Sequence, residues 1–140
     1  MELESVIKKF SIVDYIMVPF YNGSNISFFE KYVYITIDDL MSENLTKKDI
    51  FRRMAVNVNY VGRLIVSSDG NVYSNLNFSP LGNIKSDALP YLVEKEWKEG
   101  KAWKKVRNDV PCSNCAFKYL CPSPSDYELA INKPNLCHVF

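Results

Sequence analysis

The chain has 140 residues, a balanced composition and almost no net charge. Apolar residues make up 47% of it and charged residues 24%, close to the average for folded globular chains, which excludes disordered, collagen-like and coiled-coil classes. With 17 basic and 16 acidic residues the formal net charge is +1, so bulk charge predicts no binding to nucleic acid or to an anionic membrane. The length suits one domain, or one domain with an accessory module.

The start of the chain lacks the pattern of a secretory signal. Met1-Glu2-Leu3-Glu4 is acidic rather than basic, and no apolar run near it is long enough for a signal peptide or a membrane span. We therefore expect the chain to work in the cytoplasm, where thiols stay reduced. Its single histidine, His138, also argues against a hydrolase built on a Ser-His-Asp triad or on two metal-binding histidines.

Residues 1–60 are predicted to form an N-terminal α/β segment. Dense apolar and β-branched residues predict strands, and helical spacing of apolar residues predicts helices. The expected elements, in chain order, are a short helix within residues 1–10, a buried strand at Ile12–Val18, a turn at Asn22–Asn25, a second strand at Tyr32–Ile37, and a helix that starts at a capping box of Thr46 and Asp49.

Residues 61–140 open with a β-hairpin signal. Two β-rich runs, Gly62–Ser67 and Asn71–Leu76, flank Ser68-Asp69-Gly70. An Asp-Gly pair between such runs favours a hairpin, because glycine adopts positive φ without steric cost.

An amphipathic helix is expected after the hairpin. Ser86-Asp87 offers an N-cap, Pro90 is tolerated in a first helical turn, and Gly100 favours a helix end. Residues 94–107 carry six basic and three acidic side chains and are expected to form a solvated face. The apolar face of the helix is predicted to consist of Leu89, Leu92, Val93 and Trp97.

All four cysteines fall within residues 112–140, with the spacing C-x2-C-x5-C-x15-C at Cys112, Cys115, Cys121 and Cys137. Thiolates are soft ligands that suit zinc and iron–sulfur clusters. Four thiolates would close the coordination shell, whereas substrate activation needs an open position. The spacing therefore predicts a structural or electron-carrying centre. His138 is expected to lie at the surface or beside the site rather than to be a ligand.

Other uses of the four thiols remain open. Two disulfides allow three pairings, although the missing export signal argues against them. Free buried cysteines are common, but scattered ones would not crowd into one end of the chain. A redox-active pair at Cys112 and Cys115 is disfavoured because Pro111 precedes it and two more cysteines follow.

Residues 60–140 resemble a SPASM domain, the C-terminal extension of radical S-adenosylmethionine enzymes that modify ribosomally made peptides. Within that family the chain is most similar to the C-terminal part of the pseudo-radical-SAM proteins of Bacteroidales peptide-modification systems. The resemblance is carried by Asp69–Tyr73, Leu81–Ile84, Trp97, Trp103, the C-x2-C-x5-C loop, Cys121–Glu128 and Pro134–His138.

The chain also departs from the family pattern. A full SPASM domain holds two auxiliary [4Fe–4S] clusters with seven cysteines, and here Ser74, Asn75 and Ser125 stand where the inner-site cysteines are expected. The four cysteines that remain correspond to the outer site. The C-x3-C-x2-C motif of the catalytic radical-SAM cluster does not occur. The resemblance thus implies an α+β fold in which residues 1–60 are a remnant, or the end, of a partial β/α barrel.

Two functions are carried forward. In the first, the chain is a non-catalytic SPASM-like module that binds one [4Fe–4S] cluster through Cys112, Cys115, Cys121 and Cys137. Its partners would be a precursor peptide, a radical-SAM maturase or both, with no nucleic acid and no membrane. In the second, the same thiolates hold zinc in a structural or protein-interaction domain without a redox role. An enzyme in its own right is not expected.

Overall fold

Short helices and one small antiparallel sheet give the chain an α+β fold. The computed structural model describes residues 3–14, 16 and 18–139. The elements are α1 (Leu3–Lys9), α2 (Ile26–Tyr32), α3 (Ile37–Ser42), α4 (Lys47–Ala55), β1 (Ile65–Val66), β2 (Asn71–Tyr73), β3 (Gly82–Asn83), α5 (Leu89–Glu99), a 3₁₀ turn (Cys112–Asn114) and α6 (Asp126–Ile131). Within these described residues, no helix is both long and apolar enough to cross a membrane.

Helices α3, α4 and α6 each start at a capping box. At α4 the predicted pair is confirmed: Thr46 accepts a hydrogen bond from the Asp49 backbone N–H, and the Asp49 carboxylate accepts one from Thr46. Asp39 does the same for Thr36 at α3. Because the charged carboxylate accepts these hydrogen bonds, the pKa values of Asp39 and Asp49 lie below their usual range.

The predicted hairpin is confirmed, with shorter strands than expected. β1 pairs with β2 through Ile65↔Tyr73 and Val66↔Val72, and Gly70 takes a φ of 93° in the turn. A third strand, β3, pairs with the other side of β2 and was not predicted. A Cβ on Gly82 of β3 would lie 2.7 Å from side-chain atoms of Asp87 and Leu92, so a larger residue here would force these side chains to move.

Two apolar clusters lie around α5 and the chain that follows it. Val72, Leu81 and Leu92 join the sheet to the helix, and Leu64 packs against them. The second cluster consists of Tyr60, Ala102 and Trp103, with Val61, Leu64, Phe78 and Leu129 packed against it.

The predicted apolar face of α5 is only partly correct. Leu92 is buried as expected, but Leu89, Val93 and Trp97 are each more than a third exposed, and the second buried position is Glu96. The Glu96 carboxylate accepts hydrogen bonds from the backbone N–H groups of Ala102 and Trp103, both at 2.8 Å. These N–H groups lie just after the helix end, where Gly100 takes the left-handed conformation expected of a helix stop.

The two strands predicted in the N-terminal segment are wrong. Around Ile12–Val18, the described residues belong to no strand, and Val13 and Ile16 are 98% and 91% exposed; Tyr15 and Met17 lie outside the described residues. Within Tyr32–Ile37, Tyr32 ends α2, Ile37 begins α3, and Ile35 alone forms a β-bridge. The Thr36 cap begins a helix at the point where β propensity predicted a strand.

The helix predicted within residues 1–10 and the turn at Asn22–Asn25 are present.

The N-terminal segment is attached to the C-terminal half by an aromatic cluster. Phe29 is fully buried and packs edge-on against Tyr21 and Tyr127, with ring centroids 5.6 and 5.2 Å away. The Tyr127 hydroxyl also donates to the Pro19 carbonyl at 3.0 Å.

Glu96→Ala should lower the free energy of unfolding by about 2–4 kcal/mol, because it leaves two buried backbone N–H groups without an acceptor. Glu96→Gln keeps an acceptor oxygen and should lose less. Urea unfolding followed by circular dichroism measures both. Glu94→Ala on the exposed side of α5 is the control and should lower the free energy of unfolding much less than Glu96→Ala does. Equal losses for Glu96→Ala and Glu94→Ala would contradict the role given to Glu96.

Candidate metal centre

Three of the four cysteines lie in one tightly turned loop. It begins with the 3₁₀ turn Cys112–Asn114, after a cis peptide bond between Val110 and Pro111. Backbone hydrogen bonds then fold each segment on the one before: the Cys115 N–H donates to the Cys112 carbonyl at 3.1 Å, and the Cys121 N–H to the Phe117 carbonyl at 3.0 Å. Local turns thus keep these thiols near one another.

The fourth cysteine is brought to the loop by a long-range contact. Ile35 and Cys137 form a parallel β-bridge, in which Ile35 donates to the Leu136 carbonyl and accepts from the His138 N–H, both at 2.9 Å. Leu136 is buried beside it. The His138 ring is exposed, and its Nε2 lies 2.6 Å from the Glu30 carbonyl oxygen.

One small cavity is lined by all four cysteines. Its other lining residues are Ile35, Arg107, Lys118, Asn135, Leu136 and Val139. All four side chains are free thiols. They share the cavity without converging on one point: within residues 3–14, 16 and 18–139, no three Cys, His, Asp or Glu side chains stand in an arrangement that ligates one ion.

Hydrogen-bond donors point at several of the sulfurs. The Phe117 backbone N–H donates to Cys115 Sγ at 3.3 Å, and the Asn135 amide to Cys137 Sγ at 3.1 Å. Arg107 Nη1 lies 3.8 Å from Cys112 Sγ. Such donors stabilise a thiolate more than a thiol and are a means by which proteins tune metal–thiolate centres. These residue types match the chemistry of thiolate ligation, whereas the positions of the four sulfurs in the described residues do not form a ligand set for one ion.

Arg107 connects the cavity to the rest of the fold. It is 7% exposed and forms a two-pronged ion pair with the buried Glu128, at 2.7 and 3.3 Å. Its Nε donates to the Pro122 carbonyl at 2.7 Å. Glu128 also accepts a hydrogen bond from the backbone N–H of Ser125, the N-cap of α6, and so forms the capping box of that helix. One guanidinium thus contacts the cysteine loop and α6 together.

Burial opposes the ionisation of two of the thiols that line the cavity. Burial raises the pKa of the Cys121 thiol to about 11, and Arg107 acts in the opposite direction. Burial also raises the pKa of Cys112, again opposed by Arg107. Without a cation in the cavity, Cys112 and Cys121 are therefore protonated at neutral pH, and a bound metal would have to displace those two protons.

The positions where the resemblance expects inner-site cysteines form a polar contact instead. Ser74 and Asn75 are buried at the end of β2, and the Asn75 amide donates to the Asp126 carboxylate at 2.6 Å. The Tyr60 hydroxyl donates to the same oxygen at 3.1 Å. Ser125, next in sequence to Asp126, caps α6. Hydrogen bonds join the hairpin to α6 here.

Metal-free protein should lose stability as the pH rises from about 9 towards about 11. The Cys121 pKa is raised from 9.0 to about 11 in the folded chain, so the folded state holds this proton more tightly than the unfolded state and ionisation favours unfolding. Urea unfolding at a series of pH values, with reductant and chelator present, measures the decline. Cys121→Ser should show a shallower decline, and identical pH dependence in the two proteins would contradict the assignment.

The structure places all four predicted ligands on one cavity, but sequence reasoning missed Arg107 and its partner Glu128. Arg107 lies in a stretch expected to be solvated, and its burial becomes visible only from its contacts with Cys112 and with Glu128, 21 residues away along the chain. The motif Ser125-x-x-Glu128 did carry a capping-box signal.

Comparisons with protein families, with curated proteins and with solved structures found no match.

Proposed function

We propose that this chain is a non-catalytic, cytoplasmic SPASM-like module that binds one [4Fe–4S] cluster through Cys112, Cys115, Cys121 and Cys137. The module would help a partner radical-SAM maturase recognise a ribosomally made precursor peptide. The observation that carries the proposal is the single cavity lined by all four cysteines. A bound cluster would supply a structural or electron-carrying centre, because four thiolates leave no open position for substrate.

The residues around the cysteines have separate tasks in this proposal. Phe117 and Asn135 hold Cys115 and Cys137 through N–H···S hydrogen bonds. Ile35 and Leu136 line the cavity with apolar side chains and limit the access of water. Such surroundings influence both the stability and the reduction potential of a metal–thiolate centre.

The peptide part of the proposal is supported by the resemblance and by one surface of the sheet. β1 lies at the edge of the three-stranded sheet, and its two residues, Ile65 and Val66, are 42% and 48% exposed. An extended peptide binds to such an edge by adding a strand, with apolar side chains giving selectivity. The partners would thus be the precursor peptide, the maturase or both.

Zinc is the second candidate for the same four residues. Zinc binds four cysteine thiolates in tetrahedral geometry and stabilises small loop-rich folds. The turns of the loop at Cys112–Cys121 contain little regular structure apart from one 3₁₀ turn, which is typical of a structural zinc site. In this reading the chain is a structural or protein-interaction domain without redox activity.

Protein purified without oxygen and reconstituted with iron and sulfide should gain broad visible absorption and about four iron atoms and four sulfides per chain. Single Cys→Ser substitutions at Cys112, Cys115, Cys121 or Cys137 should each reduce iron content and absorption several-fold. Ser113→Ala, in the same loop, is the control and should bind as the unaltered chain does. Stoichiometric zinc without iron would support the zinc domain and contradict the cluster.

The recognition role has its own test. The genes beside that of this chain should first be searched for a short precursor peptide and a radical-SAM enzyme; such a peptide, fluorescently labelled, should then bind the chain with saturable anisotropy. The affinity should be measured for chain loaded with cluster and for chain without it. A cluster-loaded chain that binds neither the peptide nor the maturase would contradict the recognition role while leaving the cluster assignment intact.

A further inference from the structure

Arg107 belongs to a buried ion pair and also lines the cysteine cavity. Its Nη1 donates to Glu128 at 2.7 Å and lies 3.8 Å from Cys112 Sγ. Its Nε donates to the Pro122 carbonyl, immediately after Cys121 in the chain. The guanidinium is thus fixed on three sides, with its charge facing the thiols.

A metal or cluster held by four thiolates would be stabilised by a positive charge close to it. Four thiolates around a divalent metal or a doubly charged cluster leave an excess of two negative charges, and burial makes uncompensated charge costly. The cations that line the cavity are Arg107 and Lys118. Glu128 faces the guanidinium from the side of α6, while the exposed His138 ring lies against Glu30.

We propose that Arg107 is the counter-charge of the thiolate centre and a positioning residue for it, setting the metal affinity through Cys112. This inference rests on the proposed metal-binding function and deepens it. Arginine suits the task because its charge is permanent and its planar fork makes the two bonds to Glu128 while leaving an N–H directed at sulfur. The low dielectric of the buried position lets one charge act strongly on the thiolates.

The competing explanation is that Arg107 only holds α6 and the loop together. Arg53 provides a matched comparison, because it is also ion-paired and also anchored to the cysteine loop. It pairs with Glu43 at 2.7 Å and donates to the Leu120 carbonyl at 2.5 Å, next to Cys121, but it does not line the cysteine cavity. Loss of Arg53 therefore removes a loop anchor without removing the charge that faces the thiols.

The experiment is a titration of the metal-free chain with Co²⁺ alone, under reducing and oxygen-free conditions, followed by thiolate-to-cobalt absorption. Arg107→Met should weaken Co²⁺ binding about 10–100-fold, the usual effect of removing a group that supports metal ligands. Arg107→Lys keeps the charge and should weaken binding less. Arg53→Met should stay within about twofold of the unaltered chain. The cobalt spectrum at saturation should be the same in all of them, because the four ligands are unchanged.

The double variant Arg107→Met/Glu128→Gln guards against misfolding, since it leaves no unpaired buried carboxylate and keeps an oxygen for the α6 cap. It should fold and still bind Co²⁺ about tenfold or more weakly. Equal affinities for this variant and the unaltered chain, or equal losses for Arg53→Met and Arg107→Met, would overturn the inference and leave the metal site in place. An unaltered chain that binds neither Co²⁺ nor a cluster would overturn the proposed function itself.

Discussion

The buried ion pair between Arg107 and Glu128 is the constraint on which the C-terminal half depends. Burying two charges costs free energy, and the pair offsets this only because its hydrogen bonds are nearly all satisfied: the guanidinium also reaches the Pro122 carbonyl, and the carboxylate also caps α6 through Ser125. Each partner of the ion pair therefore also forms a hydrogen bond with a second group. A chain with one partner removed would hold an uncompensated charge where the loop, α6 and the cysteine cavity meet.

Asn57 is a second buried polar residue that joins separate segments of the chain, in this case without a charge. Its side chain is fully buried, and its amide donates to the Lys105 and Pro124 carbonyls at 3.0 and 2.9 Å. Its backbone N–H donates to the Trp103 carbonyl at 2.7 Å. Segments that lack regular structure still need partners for their buried carbonyls, and here one carboxamide supplies them for two segments together.

Features that rest on local backbone chemistry could be predicted from sequence. The Asp69-Gly70 turn and the Gly100 helix stop depend on positive φ, and the Thr46 cap depends on a residue three positions away. The predictions that were wrong concern features that depend on tertiary contacts.

Ile12–Val18 has the composition of a strand but finds no neighbour to pair with among the described residues, while β3 is short and contains a glycine, so composition gives no sign of it. Burial of Glu96 depends on backbone N–H groups just past the helix end, and burial of Arg107 depends on Glu128, far along the chain; neither follows from helical periodicity. For the candidate site, the cysteine spacing indicated the four candidate ligands, but the cavity that they line together and the position of Arg107 beside them required the fold.

The bridge between Ile35 and Cys137 implies an order of assembly for the site. Three thiols lie within a few turns of one another, so bringing them together costs little chain entropy, whereas the fourth must wait for a contact that spans most of the chain. In the proposed site, a loop with only these three thiols would therefore hold an ion less tightly than all four thiols together. The Ile35–Cys137 bridge, which joins the segment between α2 and α3 to the tail, would complete that proposed site, so that retention of an ion would depend on both halves of the chain.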